Sequence, residues 1–556
     1  MLGRLGTGLV LTVLTAACGG AQAGGGVPPS VGTVAPAAPV LRRCLLLTTN
    51  DSESNFDGVV RGADGTTQYL YPLARIASAK RQALAERPDG VLLLEGGDVL
   101  QGRFLERQDG DRPRAMADNW PMYERAGYDF GVLGNHEFDQ GPKAVRRALQ
   151  ALTTYRILAS NVDGTGTALE PDDPQHPDGL FGATALARCG GVQLGLFGLL
   201  TPSTRTISDL GDVKLRPLEV AAQAAIARLR TQGAETIVLL SHLGVEDDLK
   251  LAAAVSGIDL IVGGHSHTRL ERALHVGQTW VTQTGARFER LGRLDLAIGA
   301  DGHIDPASHY ALVPPETYPP DPAIVAATEQ LLHQLVAEKV IGKREFAWDV
   351  MHVAQSQYAA RATRAVAQHA AAVSHRRVDG ALLNTGGFRS HTLYPPGPVT
   401  NLEVSAIHPF RNRVVLVSLS GAQLRDVLEH ACGHADNVEH GANSVLWGIT
   451  MRCDVQRPAA RYTYVEQKPV AIAAHGERAT DIAVGGQPLQ PGATYTLATL
   501  DYLARGGSSY LPLQLGERKC LDGTPFRAED KTTCSDTALL ADVIAAEVAA
   551  GHLDVP

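Results

Sequence analysis

The run Val91-Leu92-Leu93-Leu94-Glu95-Gly96-Gly97-Asp98 decides the reading of this chain. An apolar stretch of strand length ends in a glycine turn, and the turn delivers a carboxylate. The same pattern recurs on either side. Leu45-Leu46-Leu47 precedes Asn50-Asp51-Ser52-Glu53, and Phe130-Gly131-Val132-Leu133 precedes Gly134-Asn135-His136-Glu137-Phe138-Asp139. Ile237-Val238-Leu239-Leu240 leads into Ser241-His242, and Leu260-Ile261-Val262 into Gly263-Gly264-His265-Ser266-His267. In open α/β sheets, ligands bind beyond the carboxyl ends of the strands. Five polar clusters at five strand ends can therefore converge on one site. A lone Gly-Asp or His-x-His is usually a turn or a solvated loop; the ordered set of five carries the argument. Carboxylate, amide and imidazole donors together suit two divalent cations better than one structural zinc.

Outward from these runs, short apolar segments alternate with helical ones from Leu41 to about Val313. Tyr69 to Arg87 and Val220 to Gln232 have amphipathic helical periods; Val192 to Leu200 and Trp280 to Thr284 read as buried strands. Such alternation predicts layered α/β structure over residues 41–313. Five prolines between Pro314 and Pro322 break the pattern. Ala323 to Lys343 then reads as one connecting helix, so 314–344 is taken as a linker. From about Glu345 to Pro556 the texture is richer in strands, as in Val414 to Leu419 and Thr494 to Leu500, which predicts a second, α+β domain over 345–556. At 556 residues, two or more domains are expected. The net charge of −9 argues against binding a nucleic-acid polymer, which needs basic patches. It leaves small anionic substrates open, because a metal's own charge can dominate a site. No protein partner is predicted.

The first 23 residues read as an export signal: Arg4, then a short apolar stretch from Leu9 to Ala17. Thr15-Ala16-Ala17-Cys18 is similar to a lipobox, which would lipidate Cys18 and attach the chain to a membrane; cleavage after Ala21-Gln22-Ala23 would release it instead. Residues 24–40 form a Gly/Pro/Ala tether, and the predicted location is periplasmic or at the cell surface. Export makes disulfides plausible for the six remaining cysteines. Proximity suggests Cys432 with Cys453 and Cys520 with Cys534.

The ordered set resembles the calcineurin-like metallophosphoesterases, and within them the exported 5′-nucleotidase, UDP-sugar hydrolase and 2′,3′-cyclic nucleotide phosphodiesterase family. The resemblance spans nearly the whole mature chain. It implies an α/β/β/α sandwich followed by a substrate-binding domain, and a hydrolase of nucleotides. It also implies two metal positions: Asp51, Glu53, Asp98 and His267 at one, and Asp98, Asn135, His242 and His265 at the other. Two cations about 3.5–4 Å apart activate water for attack on phosphorus and clamp the phosphoryl oxygens. His136 is left to stabilise the transition state or donate a proton, with Asp139 fixing its tautomer; a helix N-cap is the plainer role for Asp139. In the second domain, Asn384-Thr385-Gly386-Gly387-Phe388-Arg389 matches the family's phosphate-binding segment, which implies Asn384, Gly387 and Arg389 as contacts. His408-Pro409-Phe410-Arg411-Asn412 and the stretch from Asp501 to Tyr510 match the base-binding segments, which implies Asn412 as a contact and Phe410 and Tyr502 as a sandwich around a flat base.

Three departures bear on function. Glu53 stands where the family has histidine. A hard anionic oxygen there tilts the expected metals from zinc toward manganese, magnesium or calcium, manganese first. Ser508 stands where an aspartate should meet ribose, and Tyr358-Ala359-Ala360-Arg361 replaces the family's Leu-Gly-Asn-Leu. Two alternatives follow: a thiosulfohydrolase-like enzyme on the same frame, and a catalytically impaired surface binding protein.

Overall fold

The computed structural model describes residues 41–554 apart from 62–65, 107, 109, 171–180, 391, 434–443, 466–467 and 529–532. The leader and tether expected over residues 1–40, with Cys18, lie outside the described residues. Two six-stranded sheets build the first part of the fold. In spatial order the first holds His309–Val313, Leu291–Ile298, Arg42–Thr49, Val91–Glu95, Phe130–Val132 and Arg156–Leu158. The last four are parallel, and Leu291–Ile298 runs antiparallel to Arg42–Thr49. The second sheet holds Leu274–Val276, Thr279–Thr282, Leu260–Val262, Thr236–His242, Val192–Leu200 and Thr184–Cys189, with its middle four strands parallel.

Alternation along the strands assigns each side chain to a layer. Cys44 and Leu46 join Leu92, Leu94, Leu194, Leu196, Val238 and Leu240 in the core between the sheets. Leu45 and Leu47 belong to the outer core with Leu73 and Ile76 of the helix Pro72–Glu86. On the other side, Phe197, Leu199, Ile237 and Leu239 pack with Ala222 and Leu229 of Leu218–Thr231 and Leu251 of Val245–Ala254. The layers are therefore helix, sheet, sheet, helix, as predicted. Because the central strands are buried on both faces, they read as continuous apolar runs.

Cys44 and Cys189 form a disulfide between the two sheets, joining residues 145 positions apart. A loop of this size loses much entropy when closed in the unfolded chain. Replacing both cysteines with alanine should lower the unfolding free energy by roughly 2–5 kcal/mol, read as a lower denaturant midpoint. An unchanged midpoint would mean that the sheets do not depend on the bridge.

The second part is built on a five-stranded sheet of Ser444–Trp447, Gly380–Asn384, Thr494–Leu500, Val414–Ser420 and Glu517–Cys520. The helices Gln357–Ser374, Gly421–Gly433 and Leu540–Ala549 supply Val366, Leu428 and Ile544 to its core. Disulfides join Cys432 to Cys453 and Cys520 to Cys534, the pairs that proximity suggested.

Two boundaries differ from the sequence reading. Thr67–Tyr69 is a strand, and the first helix starts at Pro72, whose fixed φ suits a first helical turn. Ala323 to Lys343 is not one helix. The helix Pro322–Leu332 packs Ile324 and Leu331 into the outer core of the first part. Val340–Arg344 then pairs antiparallel with Gly397–Thr400. The β-branched Val340 and Ile341, with Gly342 beside them, favour extended backbone there over another helical turn.

Candidate active site

Each predicted donor sits where a parallel strand ends. Five of the seven expected metal ligands, Asp51, Glu53, Asp98, His265 and His267, have positive φ. Non-glycine residues rarely adopt this conformation, and a cluster of them is a known mark of functional sites. Glycines make the close approach feasible. A Cβ on Gly134 would fall 2.1 Å from Asp98 Oδ1, and one on Gly264 would fall 2.3 Å from the Gly96 carbonyl. Glu137, for which the sequence suggested no role, pins these loops together. Its carboxylate accepts from the backbone N–H groups of Gly134 at 2.6 Å, Asp98 at 3.1 Å, Val99 at 2.9 Å and Leu100 at 3.1 Å.

Asp98, His242 and His265 bring donor atoms within 4.8 Å of one another, the one such group of His, Cys, Asp or Glu among the described residues. His242 is fully buried, and its Nδ1 donates to the Gly96 carbonyl at 2.7 Å. That contact fixes the tautomer and aims Nε2 at Asp98 Oδ2, 3.0 Å away, with Asn135 Oδ1 at 3.3 Å. Beside them, Asp51 accepts from the His265 amide at 2.9 Å and lies 3.2 Å from His267 Nε2. Burial would lower the pKa of His242, but Asp98 and Asp51 push it up to about 10. Burial would raise Asp98, yet His242 and His136 hold it well below the usual carboxylate range. An anionic field that holds a proton on a buried imidazole suits a divalent cation, and the mixed O/N donor set fits one.

Glu53, expected as a metal ligand, faces two arginines. Its buried carboxylate divides between two arginines, with Oε2 3.0 Å from Arg287 Nη1 and Oε1 2.9 Å from Arg389 Nη2. The guanidinium groups come from residues 234 and 336 positions away, so no local pattern could have exposed the pairing.

His136 and Asp139 meet as expected, with Nδ1 2.8 Å from Asp139 Oδ2. Ser208 Oγ donates to the other carboxylate oxygen at 3.1 Å. The helix Pro142–Leu149 takes Gly141, not Asp139, as its N-cap, so capping does not explain Asp139. Burial disfavours protonation of His136, but Asp139 and Asp98 outweigh it and raise its pKa. His136 Nε2 contacts Arg389 Nη2, and its ring stacks on Phe410 with centroids 5.6 Å apart. Gln101, also missed from sequence, sits against both: Oε1 accepts from Arg389 Nε at 3.2 Å, and its side chain packs beside the His136 ring.

A cleft of about 1820 Å³ unites the two halves. Asp98, Asn135, His136, Asp139, His265 and His267 line one side, and Asn384, Gly387, Arg389, Phe410, Asn412, Tyr502 and Ser508 the other. Asn384 Oδ1 is buried without a hydrogen-bond partner among the described residues, an acceptor available to a ligand. Tyr502 Oη accepts from the Ser508 amide at 2.9 Å. Tyr358, the first residue of the altered segment, is not in the cleft: it is buried, stacks on Trp348 at 4.4 Å and bonds His408 Nε2 at 2.8 Å.

Two family profiles match the chain. The profile of calcineurin-like phosphoesterases matches residues 67–269, and that of the 5′-nucleotidase C-terminal domain matches residues 328–514. The chain belongs to the 5′-nucleotidase family of metallophosphoesterases. It is accordingly a phosphoric ester hydrolase of a class that uses divalent metals. Within the family, a probable 5′-nucleotidase of Treponema pallidum is 25% identical over 505 residues, covering 78% of this chain and 80% of its own. A 5′-nucleotidase precursor from Thermus thermophilus has a crystal structure that superposes with a TM-score of 0.74 at 26% identity, over 92% of this chain and 97% of its own. A sulfate thiohydrolase from Thermus thermophilus shares the fold, with a TM-score of 0.66 at 20% identity over 92% of this chain and 94% of its own.

Proposed function

We propose that this chain is an exported, divalent-metal-dependent hydrolase of nucleoside phosphates. One observation carries the reading: the His136–Asp139 pair and the metal-donor cluster share a single cleft with Arg389, Asn384, Phe410 and Tyr502. Asp98, Asn135, His242 and His265 would hold one cation, and Asp51, Asp98 and His267 border a second position. A bound divalent cation would supply Lewis acidity toward the phosphoryl oxygens and lower the pKa of water.

The chain's own residues supply the rest. Asp139 accepts a hydrogen bond from Nδ1–H of His136, so Nε2 is the nitrogen presented toward the cleft. From there it can stabilise charge on the phosphoryl group or deliver a proton to the leaving oxygen. Arg389 matches an anionic phosphate with a planar fork of donors. Phe410 and Tyr502 offer apolar ring surface for a base. The sulfur-directed alternative gains only a shared fold, whereas these aromatic positions favour a nucleoside. The three disulfides and the leader support export.

The test is phosphate release from AMP, ATP, UDP-glucose and 2′,3′-cyclic AMP, with manganese, magnesium, calcium, cobalt or zinc added in turn. Metal-dependent turnover of at least one is expected; silence on all four with metal bound would overturn the reading. Arg389→Ala should raise KM for the best substrate by about ten- to a hundredfold, the worth of a hydrogen bond to a charged group. An unchanged KM would remove Arg389 from phosphate binding.

A further inference from the structure

Glu53 is fully buried and in contact with two guanidinium groups from different parts of the fold. Arg287 holds Oε2 and also donates its backbone N–H to the Asp51 carbonyl at 2.8 Å. Arg389 holds Oε1 while reaching Gln101 and His136. A buried carboxylate is tolerated when paired, and leaving either partner unpaired is costly. Turning Glu53 toward a cation would take its carboxylate away from both guanidinium groups. Arg389 also contacts His136, whose Nε2 is 3.8 Å from Asp98 Oδ2, so the guanidinium that Glu53 holds lies close to the second position.

Resting on the phosphoesterase reading above, we infer that Glu53 is a positioning residue for Arg287 and Arg389 and not a metal ligand, so that the chain holds one divalent cation tightly, at Asp98, Asn135, His242 and His265. The second position, left with Asp51, Asp98 and His267, lacks its fourth protein donor and fills only at high metal concentration. Glu53 then contributes through Arg389: it keeps the guanidinium beside His136, where a phosphate would bind.

The experiment is manganese content per chain, measured by elemental analysis after gel filtration of the full chain loaded with excess manganese. It is run on the wild type and on Glu53→Gln, which keeps the shape and loses the charge. One equivalent is expected in both. Kinetics should show KM for the best phosphoester raised about tenfold in Glu53→Gln, with kcat changed less than threefold. Two tightly held equivalents in the wild type would overturn the inference, and this count stands by itself if the variant does not fold. Loss of one equivalent in Glu53→Gln would also overturn it, by making Glu53 a ligand. Failure of the underlying reading looks different: no phosphoester is turned over, while the metal count stays at one in both proteins.

Discussion

Asp98→Asn should remove nearly all metal-dependent hydrolysis and leave the fold intact. Asp98 is buried at the meeting point of the donor cluster, with Oδ2 3.0 Å from His242 Nε2 and Oδ1 accepting the His136 amide at 2.8 Å. Asparagine preserves the volume and one acceptor, so the loop pinned by Glu137 should hold its course. It removes the negative charge that both proposed metal positions share, and it can turn an N–H toward a cation. Outer partners of metal ligands typically cost about 10–100-fold in affinity or activity when lost, and a direct, shared ligand should cost more. We expect kcat/KM to fall by over about a hundredfold, and manganese retained after gel filtration to fall in parallel. Stability of the metal-free chain should fall, because the substitution removes one partner of the buried Asp98–His242 pair, and breaking such a pair costs about 3–5 kcal/mol. A rate within tenfold of wild type, or full metal retention, would exclude Asp98 as the central ligand.

The fold was legible because the central strands are buried on both faces. Such strands write themselves as continuous apolar runs, and the polar residue that ends each run marks the site. Asp51, Asp98, Asn135, His242 and His265 were found this way without any knowledge of how the strands are ordered. Other features depend on partners distant in sequence and leave no local trace. Glu53 was expected as a ligand from the family resemblance; Arg287 and Arg389, which hold its carboxylate here, lie hundreds of residues downstream. Cys44 and Cys189 meet only because two sheets stack. The segment Ala323 to Lys343 has a helical period throughout, but Val340–Arg344 finds a strand partner at Gly397–Thr400. Tertiary pairing there overrides a local preference. Glu137 was visible in the motif, yet its four backbone contacts depend on how two loops abut.

His136→Ala tests the other half of the site, the half that belongs to the chain and not to the metal. A positioned acid or base contributes about 10²–10⁴-fold to a rate. The substitution should lower kcat by that range while manganese content stays at the wild-type value, since neither ring nitrogen belongs to the donor cluster. Some rise in KM is expected as well, because the ring also packs on Phe410 and contacts Arg389. The decisive comparison is with Asp139→Asn and the double variant. If Asp139 acts by holding the Nδ1 proton of His136, its effect exists only while the imidazole is present. Asp139→Asn alone should then cost less than His136→Ala, and the double variant should be no slower than His136→Ala. Losses that instead add would mean that Asp139 serves the reaction independently of His136. A wild-type kcat in His136→Ala would mean that hydrolysis proceeds without the pair, leaving the donor cluster and Arg389 as the groups that act on phosphate.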